Sequence, residues 1–214
     1  MSAAAALVAL NVIAYVWELA SGTRLDDGQS LVDHGALYGR LVLGRGEWWR
    51  IVTGGFMHGG LMHLALNMLA LWQLGTFVEA ALGARRMLAI YAIALAGGGL
   101  AIMYFAPGEV TVGASGAIFG LFGALLAIGV RLGARGRGLI AQTAPIVLIN
   151  LAFTFAVPNI SKGGHLGGLF TGFLAGLALF VRRTPAVAHV VDRTTGEVHD
   201  VEILPPDRAA RPGA

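Results

Sequence analysis

Six stretches of this chain, 3–20, 59–81, 86–106, 114–131, 138–157 and 164–182, are apolar runs. Each is close to the ~20 residues an α-helix needs to cross a bilayer. Backbone inside hydrocarbon must satisfy its own polar groups, and a helix does so within one segment. The expected fold is therefore all-α, a polytopic membrane bundle of six transmembrane helices. Composition agrees: 56% of the residues are hydrophobic and 13% charged, against about 25% charged in soluble domains. The 32 glycines fall within the apolar runs and follow no collagen-like repeat. There is no cysteine, which excludes disulfides, thiolate metal sites and a cysteine nucleophile.

Arginines set the expected topology. Arg85 and Arg86 lie between runs two and three; Arg131, Arg135 and Arg137 lie between four and five; Arg182 and Arg183 follow run six. If six helices alternate, all three clusters share one side, which the positive-inside rule makes cytoplasmic along with both termini. The net charge of +3 is thus read as topology, and no nucleic-acid partner is implied. The first run continues to Ala20 without a small-x-small cleavage site, so it is expected to stay in place rather than act as a removed leader.

The first connection, Ser21 to Met57, is expected to face outward. It holds Arg24, Arg40, Arg45 and Arg50 among four acids, and Leu31, Leu37, Leu41, Trp48 and Trp49 without a spanning run. A long folded interfacial loop is expected there, with its tryptophans at headgroup level. Character changes again after Arg183. The expected division is a membrane domain over 1–183 and a cytoplasmic tail over 184–214. In the tail, "HVVDRTTGEVHDVEIL" reads as two short strands around a Thr-Thr-Gly turn, and "PPDRAARPGA" beyond it as disordered.

Polar residues inside spanning segments are costly and face a bundle interior or a cavity. "FMHGGLMHLALNML" carries His58, His63 and Asn67 where run two starts. His63 and Asn67, four apart, share one helical face. Ser115 in "VGASGAIFG" opens run four, and His165 in "KGGHLGGLFTG" opens run six. Runs two, four and six all travel from outside to inside, so these groups share one depth. A serine, a histidine and extra donors at one level are the parts of an acyl-transfer site. Each oxyanion donor is worth about 3–4 kcal/mol in a well-studied hydrolase. Gly116 and Gly120 in run four, and Gly168 and Gly172 in run six, form small-xxx-small faces on which the two helices can pack backbone to backbone. Taken alone, "VGASGAIFG" also fits a serine that only packs.

At these residues the chain resembles the rhomboid intramembrane serine proteases, over about residues 5–182. The pattern G-x-S-G-x-x-x-G stands as Gly113, Ser115, Gly116 and Gly120. H-x-x-x-x-H-x-x-x-N stands as His58, His63 and Asn67, and H-x-x-G-x-x-x-G as His165, Gly168 and Gly172. The Trp49-Arg50 pair, and Glu79 between Gly75 and Gly83, agree as well. The resemblance implies Ser115 as nucleophile and His165 as general base. It implies His63 and Asn67 as oxyanion donors beside the Ser115 N–H, His58 as a support for the outer end of helix two, and Arg50 as organiser of the outer loop. Phe119 stands where many members carry a tyrosine stacked on the catalytic histidine. The implied substrates are single-pass membrane proteins cut near the outer face, with small or helix-weakening residues there. The implied setting is a lipid bilayer, and no cofactor or metal is implied; compact loops, the lack of a targeting leader and arginine-rich cytoplasmic turns suit the plasma membrane of a bacterium.

Other residues are expected to be architectural. Glu79 is a natural partner for Arg85 or Arg86, Asn150 and Gln142 are expected to bond to neighbouring helices, and Phe153 and Phe155 to face core or lipid. Four alternatives have sequence arguments against them. A non-catalytic scaffold for membrane clients would usually lack the serine or the histidine. A zinc site on His58, His63 and His165 has no H-E-x-x-H. A channel or transporter is opposed by arginines placed only at helix ends and by the lack of an evident inverted repeat. A soluble-type nucleophile elbow needs glycine where Ala117 stands.

Overall fold

Lipid tails are as apolar as leucine, so a membrane bundle gains little by burying leucines and is held by close backbone packing and internal polar contacts. The computed structural model, which describes residues 1–181, 186–191 and 198–203, is built that way. The chain divides into two units, Met1–Phe180 and Val181–Ala214.

In the first unit a helix fills each apolar run. These are α1 (Ala3–Ala20), α5 (Leu61–Leu82), α6 (Ala84–Phe105), α7 (Ser115–Leu132), α8 (Arg137–Ala156) and α9 (Lys162–Leu179). Between α1 and α5 come α2 (Gly28–Asp33), β1 (Leu37–Tyr38), α3 (Gly39–Arg45) and α4 (Arg50–Gly54); β2 (Val110–Thr111) precedes α7. Among the described residues, four stretches are long and apolar enough to cross a membrane: Ala3–Ala20, Leu61–Leu82, Ala84–Phe105 and Ser115–Ala156. The last, 42 residues long, contains α7, a 3-10 turn at Gly133–Gly136 and α8. The sixth run differs from expectation. It forms an 18-residue helix, but Lys162, His165 and the glycines at 163, 164, 167 and 168 dilute its hydropathy.

Helix α7 is the centre of the bundle, buried from Ala117 through Leu125 and again over Ala127 to Gly129. It packs chiefly on α9, and also on α6, α8 and α5. The α7–α9 contact is backbone on backbone. A methyl group at Gly168 would overlap the Gly116 carbonyl, and one at Gly172 the Gly120 carbonyl. Other large apolar groups face outward: Leu66, Leu69, Trp72, Phe153 and Phe155 are exposed. The interior holds Leu71, Met87, Ile90 and Leu121, and beside them the polar Asn11, Glu18, His58, Asn67, Thr154 and His165.

The segment between α1 and α5 is built of short elements. Asp27 caps α2 by accepting from the N–H groups of Gln29 and Ser30. Its carboxyl is held below the usual range by the Arg24 guanidinium hydrogen-bonded to it, helped by those two N–H groups. Arg50 is buried and binds the segment together. Its Nη1 donates to the carbonyls of Val32 (2.7 Å) and Ala36 (3.0 Å), and its Nε to Glu47 (2.5 Å). The guanidinium also lies 4.5 Å from the Trp49 ring centre. Trp48 and Trp49 are both about half exposed. β1 pairs antiparallel with β2, Leu37 opposite Thr111 and Tyr38 opposite Val110. This tie secures the chain just before α7.

Glu79 does not pair with Arg85 or Arg86. Its two carboxylate oxygens accept from the backbone N–H groups of Ala3 and Ala4, each at 2.9 Å. The first N–H groups of a helix have no partner within it and carry its positive end, which makes them better placed for a carboxylate than a solvated arginine. We predict that Glu79→Ala lowers stability by about 1 kcal/mol, the usual worth of such a cap. The unfolding midpoint in detergent should fall by about 2–4 °C, with activity retained.

In the second unit β3 (Ala186–Val191) pairs antiparallel with β4 (Val198–Ile203), from Ala186 opposite Ile203 to Val191 opposite Val198. The Thr-Thr-Gly turn and the segment expected to be disordered lie outside the described residues.

Candidate active site

Ser115 is the first residue of α7, and no side chain caps that helix start. The approach to it is fixed by backbone geometry. Gly113 has φ +117°, a conformation open to glycine and strained for other residues, and its N–H donates to the Gly54 carbonyl at 2.9 Å. A Cβ at Gly113 would lie 2.7 Å from Cε1 and 2.8 Å from Nε2 of His63. The missing side chain is therefore what lets the His63 ring lie two residues from Ser115.

His165 sits in the first turn of α9, whose start is capped by the Ser161 hydroxyl accepting from the Gly164 N–H at 3.2 Å. Glycine packing brings this turn against α7, and His165 Nε2 lies 2.8 Å from Ser115 Oγ across 50 residues of sequence. The Phe119 ring stacks on the imidazole with centroids 4.1 Å apart and planes 16° apart. On the other edge His165 Nδ1 lies 2.8 Å from the hydroxyl of Thr154 on α8. The ring is thus held on its face and at both nitrogens. Beside the pair is a cavity of about 30 Å³, lined among others by Gly113, Ser115, Ser161 and His165, large enough for water.

The remaining expected residues are close by but not joined to the pair. His58 is fully buried. Its Nδ1–H donates to the Phe56 carbonyl at 3.1 Å, and its backbone N–H donates to Glu18 at 3.2 Å. Its ring meets His63 edge to face, centroids 5.1 Å apart. Asn67 is buried, and its amide donates to the carbonyl of His63 at 2.8 Å; its Oδ1 has no partner. One amide hydrogen remains uncommitted. Arg50 acts within the connecting segment, and Gly116 and Gly168 act through the helix contact. Among the described residues no three of His, Cys, Asp or Glu gather where they could hold a metal.

Two buried groups at this site escaped the reading of the sequence, Thr154 and Glu18. Asn150 also differs from expectation: its amide donates to Ile146 of its own helix at 2.8 Å, not to a neighbour.

Comparison with known proteins agrees with this geometry. Residues 45–182 match the family model of the Rhomboid domain. The chain is 44% identical over 156 residues to "Rhomboid protease GluP" of Bacillus subtilis (strain 168), covering 71% of this chain and 30% of that one. It is 37% identical over 153 residues to "RHOMBOID-like protein 5" of Arabidopsis thaliana, 69% of this chain and 49% of the relative. With "Putative rhomboid protease YdcA" of Bacillus subtilis (strain 168) it shares 35% over 139 residues, 63% and 68% of the two chains. The chain is an integral membrane protein with apolar helices around a buried polar site. It belongs to the rhomboid family. It spans less than half the length of the first curated relatives it matches.

Proposed function

We propose that this protein is an intramembrane serine endopeptidase of the rhomboid type, with Ser115 as nucleophile and His165 as general base. The observation that carries the reading is the 2.8 Å contact between His165 Nε2 and Ser115 Oγ, made by two helices whose glycines hold them together. Ser115 Oγ attacks the scissile carbonyl carbon while His165 takes its proton, and the imidazolium then gives that proton to the leaving amine. Water, deprotonated by the same imidazole, hydrolyses the acyl-enzyme and regenerates Ser115. The carbonyl oxygen becomes an oxyanion beside the uncapped start of α7, where the Ser115 N–H and the positive helix end favour negative charge. His63 and the free hydrogen of Asn67 would add donors from α5, and Phe119 would hold the imidazole plane.

In this reading all six long helices cross the bilayer, both termini are cytoplasmic, and the site opens to the outer face of a bacterial plasma membrane. Residues 1–183 form the protease domain and 184–214 a cytoplasmic tail. Substrates are single-pass membrane proteins. Their cleavage segment must leave the helical state to present a carbonyl, so small or helix-weakening residues favour it.

A serine-reactive fluorophosphonate added to membranes containing the protein tests the reading. Labelling at Ser115, located by peptide mass, is expected in the wild type and absent in Ser115→Ala. A wild type that binds single-pass helices yet never reacts with the probe or cuts them would be a client-binding scaffold.

A further inference from the structure

The geometry points to Thr154 as a positioning residue that holds His165 in the tautomer a general base requires. The Thr154 hydroxyl has one hydrogen to donate and lone pairs to accept with. It lies 2.7 Å from the carbonyl oxygen of Asn150, which can only accept, so the hydrogen goes there. Towards His165 Nδ1, at 2.8 Å, the hydroxyl must then accept, and Nδ1 must carry a proton. In a neutral imidazole that leaves Nε2 bare. Nε2 is the nitrogen facing Ser115 Oγ at 2.8 Å, free to take its proton. The ordered chain runs Ser115 O–H to His165, His165 N–H to Thr154, and Thr154 O–H to the α8 backbone.

Burial makes the constraint firm. α8 buries only Thr143, Val147 and Thr154, and Thr154 is 1% exposed between two outward-facing phenylalanines. With water excluded, an Nδ1–H without its acceptor would be left unpaired, at a cost that drives the ring toward the other tautomer. When His165 becomes an imidazolium both nitrogens donate, and Thr154 still accepts at Nδ1. No proton moves to Thr154; it fixes orientation as the third member of a serine-protease triad does, without that member's charge. This inference rests on the Ser115–His165 pair being the reacting pair.

The test is nitrogen NMR of the 214-residue chain in detergent micelles, with all six histidines labelled with ¹⁵N and the His165 signals assigned from His165→Gln. The neutral wild-type ring is expected as the Nδ1–H tautomer. Thr154→Val, which keeps the shape and loses the hydroxyl, is expected to populate the Nε2–H form. It should also lose kcat by about 10–100-fold, the scale seen where a hydrogen-bonding partner orients a metal-bound histidine, with KM little changed. Thr154→Ser should restore tautomer and rate to within a few-fold. A wild type in the Nε2–H form overturns the inference even if the valine variant fails to fold, as does a folded Thr154→Val with wild-type tautomer and kcat. Failure of the probe to label Ser115 overturns the protease reading instead, so the two failures are distinguishable.

Discussion

Ser115→Ala and His165→Ala are each expected to reduce cleavage of a single-pass reporter on the order of 10⁴-fold or more, while the double variant is no worse than either alone. The two side chains form one unit. Without the hydroxyl there is no acyl-enzyme, and without the imidazole Nε2 the hydroxyl keeps its proton and remains a weak nucleophile. Removing members of such a unit is strongly non-additive. The expected signature is therefore two large, nearly equal losses that do not multiply. The measurement is initial cleavage rate in membranes at matched protein level, with folding checked by thermal unfolding. Each substitution removes the Ser115–His165 contact, and His165→Ala also removes the bond to Thr154, but the glycine packing of α7 on α9 remains, so both variants should fold and unfold only somewhat earlier than the wild type. Rates within tenfold of wild type for either variant would assign the chemistry to other residues.

The long helices were legible because their signal is long. Each run of about 20 apolar residues coincides with a helix whose ends are shifted by no more than three residues. The short helices α2, α3 and α4, of six, seven and five residues, complete too few turns to show a period and were visible only as a folded segment. Ser115, His165, His63, His58 and Asn67 stood out because polar groups in an apolar run need a reason. Thr154 did not. A threonine in a helix normally satisfies itself on the carbonyl four residues back, and it does so here, so only the three-dimensional structure reveals its second contact. Glu18 lies at the end of its run, where a carboxylate can reach water, so sequence alone does not mark it as buried. The partner of Glu79 differs from the expected arginines because the unpaired N–H groups of α1, which lie 75 and 76 residues away in sequence, satisfy the carboxylate.

The glycines carry the second large effect. Gly168→Ala adds a single methyl, yet that methyl would overlap the Gly116 carbonyl oxygen and approach its carbon to 2.7 Å. These are backbone atoms of the central helix, which no rotamer change can move. The helices must separate, and they are held at both ends. Near the site lies the Ser115–His165 contact, and at the far end Arg131 donates to the Leu177 carbonyl at 2.8 and 3.1 Å. Overpacking of this kind costs about 3 kcal/mol, so unfolding in detergent should come about 6–12 °C earlier. Opening by about 1 Å takes the 2.8 Å Ser115–His165 distance past hydrogen-bond range, and misplacement on that scale costs about 10²-fold in rate. Gly138→Ala in the first turn of α8 is the control. A Cβ there meets nothing within 4 Å, so alanine should leave cleavage unchanged and raise helix stability slightly. The contrast between these glycine-to-alanine changes distinguishes contact from composition. If Gly168→Ala cleaves and unfolds like Gly138→Ala, the approach of α7 to α9 is not what brings His165 to Ser115.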